Sequence, residues 1–166
     1  MQQDLTAGFK EAFRLHPAGV ALVSAHAPDG LVGLTVSSVA SVSADPPVLV
    51  FSVTRTTGSA AGVLAAPSFV VHMLADTQAG IADAFARTGA PRFTPEQGWS
   101  ELPTGEPYLP SATVALRCVT RETVRVGPSV LVLADVREVI PGTSGDALIY
   151  QDRRFLSGRN LEPVGS

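Results

Sequence analysis

Charge is scarce in this sequence. Charged residues make up 16% of its 166 positions, against 45% apolar residues. Such a chain can fill a core but leaves a sparsely charged surface, which favours a buried subunit interface over an isolated monomer. The net charge of −3 provides no basic footprint, which argues against nucleic acid as a partner. The one cysteine, Cys118, excludes an internal disulfide framework, and its apolar, strand-like surroundings mark it as a core residue. No apolar run reaches about 18 residues, which argues against a membrane-spanning helix. The first residues, MQQDLTAGFKEAF, lack the charged start and apolar centre of a signal peptide. A cytoplasmic protein fits all of this.

The common catalytic signatures are missing too. A Gly-x-Gly-x-x-Gly fingerprint, a P-loop and a nucleophile elbow are all absent. His16, His26 and His72 lie far apart and form no metal-ligand spacing with Cys118 or with a pair of carboxylates, so no metal is expected. His72 sits in an apolar strand pattern and reads as a satisfied core histidine.

What the sequence does have is a concentration of hydroxyls between Gly33 and Ser59, GLTVSSVASVSADPPVLVFSVTRTTGS. Two β-branched runs, Val39–Val42 and Val48–Val53, flank an Asp-Pro-Pro turn at Asp45–Pro47. Thr35, Ser37, Ser38, Ser41 and Ser43 precede the turn; Ser52, Thr54, Thr56, Thr57 and Ser59 follow it. Small hydroxyls on apolar strands suit hydrogen bonds to a neutral polar ring or to a phosphate. Arg55-Thr56-Thr57-Gly58-Ser59 leads into a short apolar helix with Ser59 as its expected N-cap. Unpaired N–H groups and the positive dipole end there favour an anion. The same residues also suit an ordinary polar hairpin and a capped helix.

The rest of the chain reads in order as follows. Asp4 caps a first helix with Leu5, Phe9 and Phe13 on one face, ending before His16-Pro17. Gly19–Ala25 is a buried strand that returns through a turn to Leu31–Thr35. Ser68–Leu74 is a strand, and Asp76 opens a helix over Thr77–Thr88 with Ile81 and Phe85 inward. Gly89–Pro110 has no period and reads as a long functional or mobile loop. Thr113–Glu122 and Val130–Val139 are long strands around a turn at Arg125–Ser129. Ala147–Tyr150 is the last strand, Gln151–Phe155 closes the barrel, and the tail after Gly158 is loose. With no repeats and no linker, 1–166 reads as one domain. It is expected to be mainly β, a barrel of seven or eight mostly antiparallel strands with two or three short helices.

T-V-S-S-x-x-S-V-S-x-x-P-P at Thr35–Pro47, followed by V-L-V-F-S-V at Val48–Val53 and the R-T-T-x-S turn, resembles the flavin reductase-like family of small FMN-binding split β-barrels. HPAGVALVS at His16–Ser24, Phe69–Leu74, Phe85, Arg92-Phe93, Trp99 and Asp146–Phe155 extend the resemblance over nearly the whole chain. It implies an antiparallel, Greek-key split barrel that takes a hydride from NADH or NADPH onto FMN or FAD and supplies reduced flavin to a partner monooxygenase. It also implies a homodimer with each flavin near the subunit interface. The cofactors carry the chemistry and the protein holds the two rings in contact, so no catalytic base or metal is required.

The flavin contacts implied are Thr35, Val36, Ser37, Ser38, Ser52 and Val53, with Arg55, Thr56 and Ser59 on the phosphate. Arg92 and Phe93 close over the ring or reach the phosphate. Phe85 is foremost a core residue and secondarily a flavin contact. Arg154 is open between a phosphate, a partner subunit and solvent. Ser129 and Tyr150 fall at the nicotinamide. Many members carry Gly-Asp-His where this chain reads Gly127-Pro128-Ser129. Pro128 lacks an N–H and Ser129 lacks an imidazole, so NAD(P)H turnover is expected to be slow. A flavin carrier without efficient NAD(P)H oxidation, and a split barrel using haem or a deazaflavin, remain as alternatives.

Overall fold

The computed structural model describes residues 4–165. Helix α1 (Leu5–Leu15) starts at Asp4, whose carboxylate accepts the Thr6 N–H at 3.0 Å. Strands β1 (Ala18–Gly19), β2 (Ala21–Ala27), β3 (Gly30–Val36), β4 (Ala40–Ala44) and β5 (Pro47–Val53) follow. Next come α2 (Gly58–Ala65), β6 (Phe69–Met73) and, after a 3₁₀ turn at Asp76–Gln78, α3 (Ala79–Ala86). The remaining strands are β7 (Ser100–Glu101), β8 (Pro107–Tyr108), β9 (Val114–Val126), β10 (Ser129–Pro141), β11 (Leu148–Gln151) and β12 (Arg154–Ser157).

Seven strands form one antiparallel sheet in the order β3-β2-β6-β9-β10-β5-β4. The sheet curls so that β3 comes against β5. The segment joining β3 to β4 ties the two together, because Ser38 Oγ accepts the Ser52 N–H at 2.9 Å and donates to the Ser52 carbonyl at 3.2 Å. This is the split barrel expected, mainly β with three helices.

Two apolar clusters lie on opposite sides of β2. Successive strand side chains point to opposite faces, so Ala21, Val23 and Ala25 enter one cluster with Phe51 and Phe69, while Val20 and Leu22 enter the other with Phe85, Leu109 and Leu148. Burial on both faces explains the unbroken apolar run. Cys118 lies in the first cluster, where burial pushes its thiol up to about 12.

Several boundaries differ from the sequence expectation. Gly89–Pro110 is not a structureless loop: it holds a 3₁₀ turn at Pro95–Gln97 and the β7–β8 hairpin, and it buries Leu102, Glu106 and Leu109. Leu102 N–H donates to the Glu106 carbonyl at 2.9 Å, and Ser24 Oγ on β2 donates to the Pro107 carbonyl at 2.6 Å. The Glu106 carboxylate is buried among Ser68, Thr104 and Arg117. These are tertiary partners that no local period announces. The β9–β10 turn is only Gly127-Pro128, with Arg125 and Ser129 already in strands. Gln151–Phe155 does not close the barrel: β11 and β12 form a hairpin that joins β1 in a separate three-stranded sheet. Gly158–Asn160 beyond it is a 3₁₀ turn, and Ser166 lies outside the described residues.

His72 is fully buried on β6. Its Nδ1 lies 2.9 Å from the Leu22 carbonyl and its Nε2 accepts the Leu109 N–H at 3.0 Å, which fixes a neutral ring with the proton on Nδ1. Burial lowers its pKa to about 4, with the Leu22 hydrogen bond opposing the shift. The unfolded chain therefore binds this proton first as the pH falls. The stability that His72 contributes is complete above about pH 6.5 and is lost between there and pH 4. Urea unfolding at pH 7 and pH 5 should show an extra loss on the order of 2 kcal/mol in the natural chain relative to His72→Gln. An equal pH dependence in both proteins would contradict this assignment.

Candidate functional site

Three clefts meet along the end of β3. The first, about 950 Å³, runs beside α2 and includes Thr35, Thr54, Arg55, Thr57, Ser59 and Arg92 in its lining. The second, about 480 Å³, includes Thr35, Val36, Ser37, Tyr150, Arg153 and Phe155. The third, about 950 Å³, passes under α1 and includes Ser37, Ser38, Ser52, Thr54, Tyr150 and Arg153. Shared residues make them one groove around Thr35–Ser38.

Helix α2 begins two residues earlier than the sequence implies. Thr57, not Ser59, holds the N-cap position, and its hydroxyl makes no capping bond. Ser59 is the second helical residue, and its Oγ accepts from Arg92 Nη1 at 2.8 Å. The first N–H groups of α2 thus keep no side-chain cap at the mouth of the cleft. That lining contains two arginines and no carboxylate. Arg55 is exposed and makes no ion pair among the described residues.

The hydroxyls divide into two sets. Thr35 Oγ1 donates to the Ala82 carbonyl on α3 at 2.6 Å, and Ser38 is committed to Ser52. These two hold the walls together. Ser37, Thr54 and Thr57 line the groove with no internal side-chain partner among the described residues. Val36 and Val53 are buried yet reach the groove wall.

Phe85 serves both the second core and the cleft. It packs edge-on against Phe93 at 5.1 Å and lies 5.5 Å from Trp99. Phe93, held at φ 55, belongs to this aromatic cluster and lines none of the three clefts. Arg92 does line the first cleft, but its guanidinium is spent on protein acceptors.

Four expected contacts fall elsewhere. Besides Phe93, Thr56 is absent from the groove lining, its neighbours Arg55 and Thr57 taking that place. Ser129 opens β10, one residue beyond the Val130–Val53 pair, and lines none of the clefts. Arg154 is exposed beside Asp152, at 4.0 Å. Arg153, which the sequence reading passed over, takes the groove position with Tyr150. Asp152 and Arg153 form a two-residue hairpin turn with φ 53 and 58. Such turns favour residues that tolerate positive φ. Here α1 holds the turn: Asp152 N–H donates to the Arg14 carbonyl at 2.8 Å, and Arg14 pairs with the Asp152 carboxylate. Four polar residues between short apolar runs, QDRR, were the available sign of that turn.

Comparisons with known proteins agree with this fold. The flavin reductase like domain family matches residues 13–159. An NADH:FMN oxidoreductase of Rhodococcus qingshengii is 37% identical over 131 residues, 79% of this chain and 68% of its own length. The crystal structure of a flavin reductase domain protein from Arthrobacter sp. FB24 superposes with a TM-score of 0.88 at 30% identity, covering 96% of this chain and 99% of that one. The styrene monooxygenase flavin reductase of Pseudomonas putida S12 gives 0.81 at 27% identity, over 94% and 99% of the two chains.

The cleft's shape rests on Gly33. A Cβ there would lie 2.8 Å from Phe85 Cε1 and 3.3 Å from the Val23 carbonyl. Gly33→Ala should displace the Phe85 ring and cost about 1–3 kcal/mol, the usual range for overpacking. A fall of several degrees in Tm together with weaker flavin binding is expected. An unchanged Tm would show that the ring is free to move.

Proposed function

The chain belongs to the flavin reductase like domain family, and from that premise we propose that it passes a hydride from NADH or NADPH to FMN or FAD held in the groove around Thr35–Ser38. The observation that carries this reading is the first cleft: an Arg55 with no ion pair among the described residues, a start of α2 without a side-chain cap, and a lining that contains no carboxylate. That donor set suits a flavin phosphate, and the hydroxyls and buried valines beyond it suit a neutral ring. The bound flavin supplies the hydride-accepting ring. The protein's part is to hold and orient. Ser37, Thr54 and Thr57 offer small donors that leave a ring face open. Tyr150 and Arg153, across Thr35–Ser38 from Arg55, are assigned to the nicotinamide nucleotide. Ser129 remains peripheral to that contact, so the missing imidazole at this position costs less than the sequence alone implies.

Two further assignments belong to this reading. The first is a homodimer. Helix α1 buries none of its residues: Leu5, Phe9 and Phe13 are 85%, 62% and 60% exposed, and Phe9 and Phe13 border the third cleft. A second copy covering this face would wall the groove as well. The second is the destination, a partner monooxygenase that takes up the reduced flavin in the cytoplasm. No helix among the described residues is long and apolar enough to cross a membrane.

The activity test is NADH oxidation with FMN or riboflavin as acceptor. Turnover with FMN is expected, and Arg55→Ala should raise KM for FMN about ten-fold or more, the scale of one charge-assisted hydrogen bond. Riboflavin, with no phosphate, should respond little. Equal changes for both flavins would remove Arg55 from the phosphate.

Light scattering should give the natural chain the mass of two copies and Phe13→Glu the mass of one. A natural monomer that still binds FMN would refute the shared groove.

A further inference from the structure

We infer that Arg92 is a positioning residue that acts on the flavin phosphate through Ser59, not a cation that touches the phosphate itself. This rests on the phosphate site proposed at the start of α2. A guanidinium has five N–H donors and no acceptor. In Arg92 each has an acceptor inside the protein. Nε donates to the Ala84 carbonyl at 3.3 Å. Nη2 donates to the carbonyls of Phe85 at 3.3 Å and Arg87 at 2.9 Å. Nη1 donates to the Gly33 carbonyl at 3.1 Å and to Ser59 Oγ at 2.8 Å.

Three of those acceptors stand at the end of α3, where carbonyls lack helical partners and the dipole favours a cation. The fourth is on β3 and the fifth on α2. One side chain therefore joins three elements that line the cleft, with the guanidinium carbon 5.3 Å from the centre of the Phe85 ring. A phosphate that took a donor from Arg92 would strip a backbone carbonyl of its partner, and the loss would offset the gain.

Ser59 is the outlet of this arrangement. Its oxygen accepts from Arg92, and its proton has no acceptor among the described residues. A hydroxyl that accepts from a guanidinium turns its O–H away from that group, and the open side of Ser59 is the cleft it lines. Accepting a charged hydrogen bond also polarises that O–H and strengthens it as a donor. Arg92 thus converts Ser59 from a group of either polarity into a donor aimed at an anion. Lysine cannot replace it, because an ammonium does not reach five acceptors in a planar fork.

The test is a double-mutant cycle read by quenching of flavin fluorescence, with FMN and riboflavin as the two probes and Arg55→Ala as the control for the phosphate site. Ser59→Ala and Arg92→Lys should each weaken FMN about ten-fold and riboflavin less than about two-fold, and the double variant should be no weaker than the worse single one. Ser59→Thr, which keeps the hydroxyl, should retain FMN. Where Arg92→Lys does not fold, Arg92→Gln takes its place with the same expectation. Multiplying losses, to about a hundred-fold in the double variant, would mean that Arg92 contacts the phosphate independently and would overturn the inference. Equal losses for FMN and riboflavin at Arg92 would overturn it in favour of a purely structural role. If Arg55→Ala and Ser59→Ala both leave FMN unchanged, the phosphate site itself is wrong, a result distinct from the other two.

Discussion

Strand β3 is held between two helices at distances that only glycine permits. At Gly62 on α2 a Cβ would stand 2.7 Å from Val32 Cγ1, and at Gly33 on β3 one would stand 2.8 Å from the Phe85 ring of α3. Contacts this close leave the helices no freedom to slide along the strand. They set the width of the cleft that opens between the start of α2 and the end of α3. The polar ties follow from them. Thr35 can reach the Ala82 carbonyl, and Arg92 can span both helices, only because the two backbones have already been drawn onto β3. Walls drawn together by packing, rather than by a ligand, limit the ordering cost of binding a ring.

How much of this was legible in the chain depends on whether the relevant partner is near in sequence. The first helix, the β2–β3 and β4–β5 hairpins and the long β9–β10 pair follow from period, capping and turn residues, and the structure has them within a few positions. The segment Gly89–Pro110 could not be read locally. Its order comes from Trp99 against Phe85, from Glu106 with Arg117, and from Leu109 on His72. Gln151–Phe155 reads as closing the barrel, but the sheet to which Phe155 belongs depends on β1, over a hundred residues earlier.

The hydroxyl-rich stretch read from the sequence does line a groove, but not all its hydroxyls face it freely. Thr35 and Ser38 look the same as Ser37 and Thr54 on paper. Which ones remain available is decided by the distance to Ala82 and to Ser52, information that side-chain type does not contain. Ser59 as an N-cap was a sound local reading, since serine before an apolar helix is a favoured cap. Gly58, in a left-handed conformation at φ 58, starts the helix early and leaves Ser59 to Arg92. Arg154 and Arg153 exchange roles for a similar reason. In a two-residue turn with positive φ at both positions, alternation along the strand breaks down, and the arginine that enters the groove is the one in the turn.

The scarcity of charge noted at the outset has a counterpart here. Two carboxylates near the groove are neutralised at short range: Asp83 by Arg87 at 2.9 Å, and Asp152 by Arg14. Arg92 is consumed by neutral acceptors. That leaves Arg55 at one end of the groove and Arg153 at the other as arginines with no ion pair among the described residues. Both are exposed, and they bracket a wall of small hydroxyls. On the reading proposed above, they match two anionic nucleotides entering from opposite ends, with the uncharged Thr35–Ser38 wall where the two rings must meet.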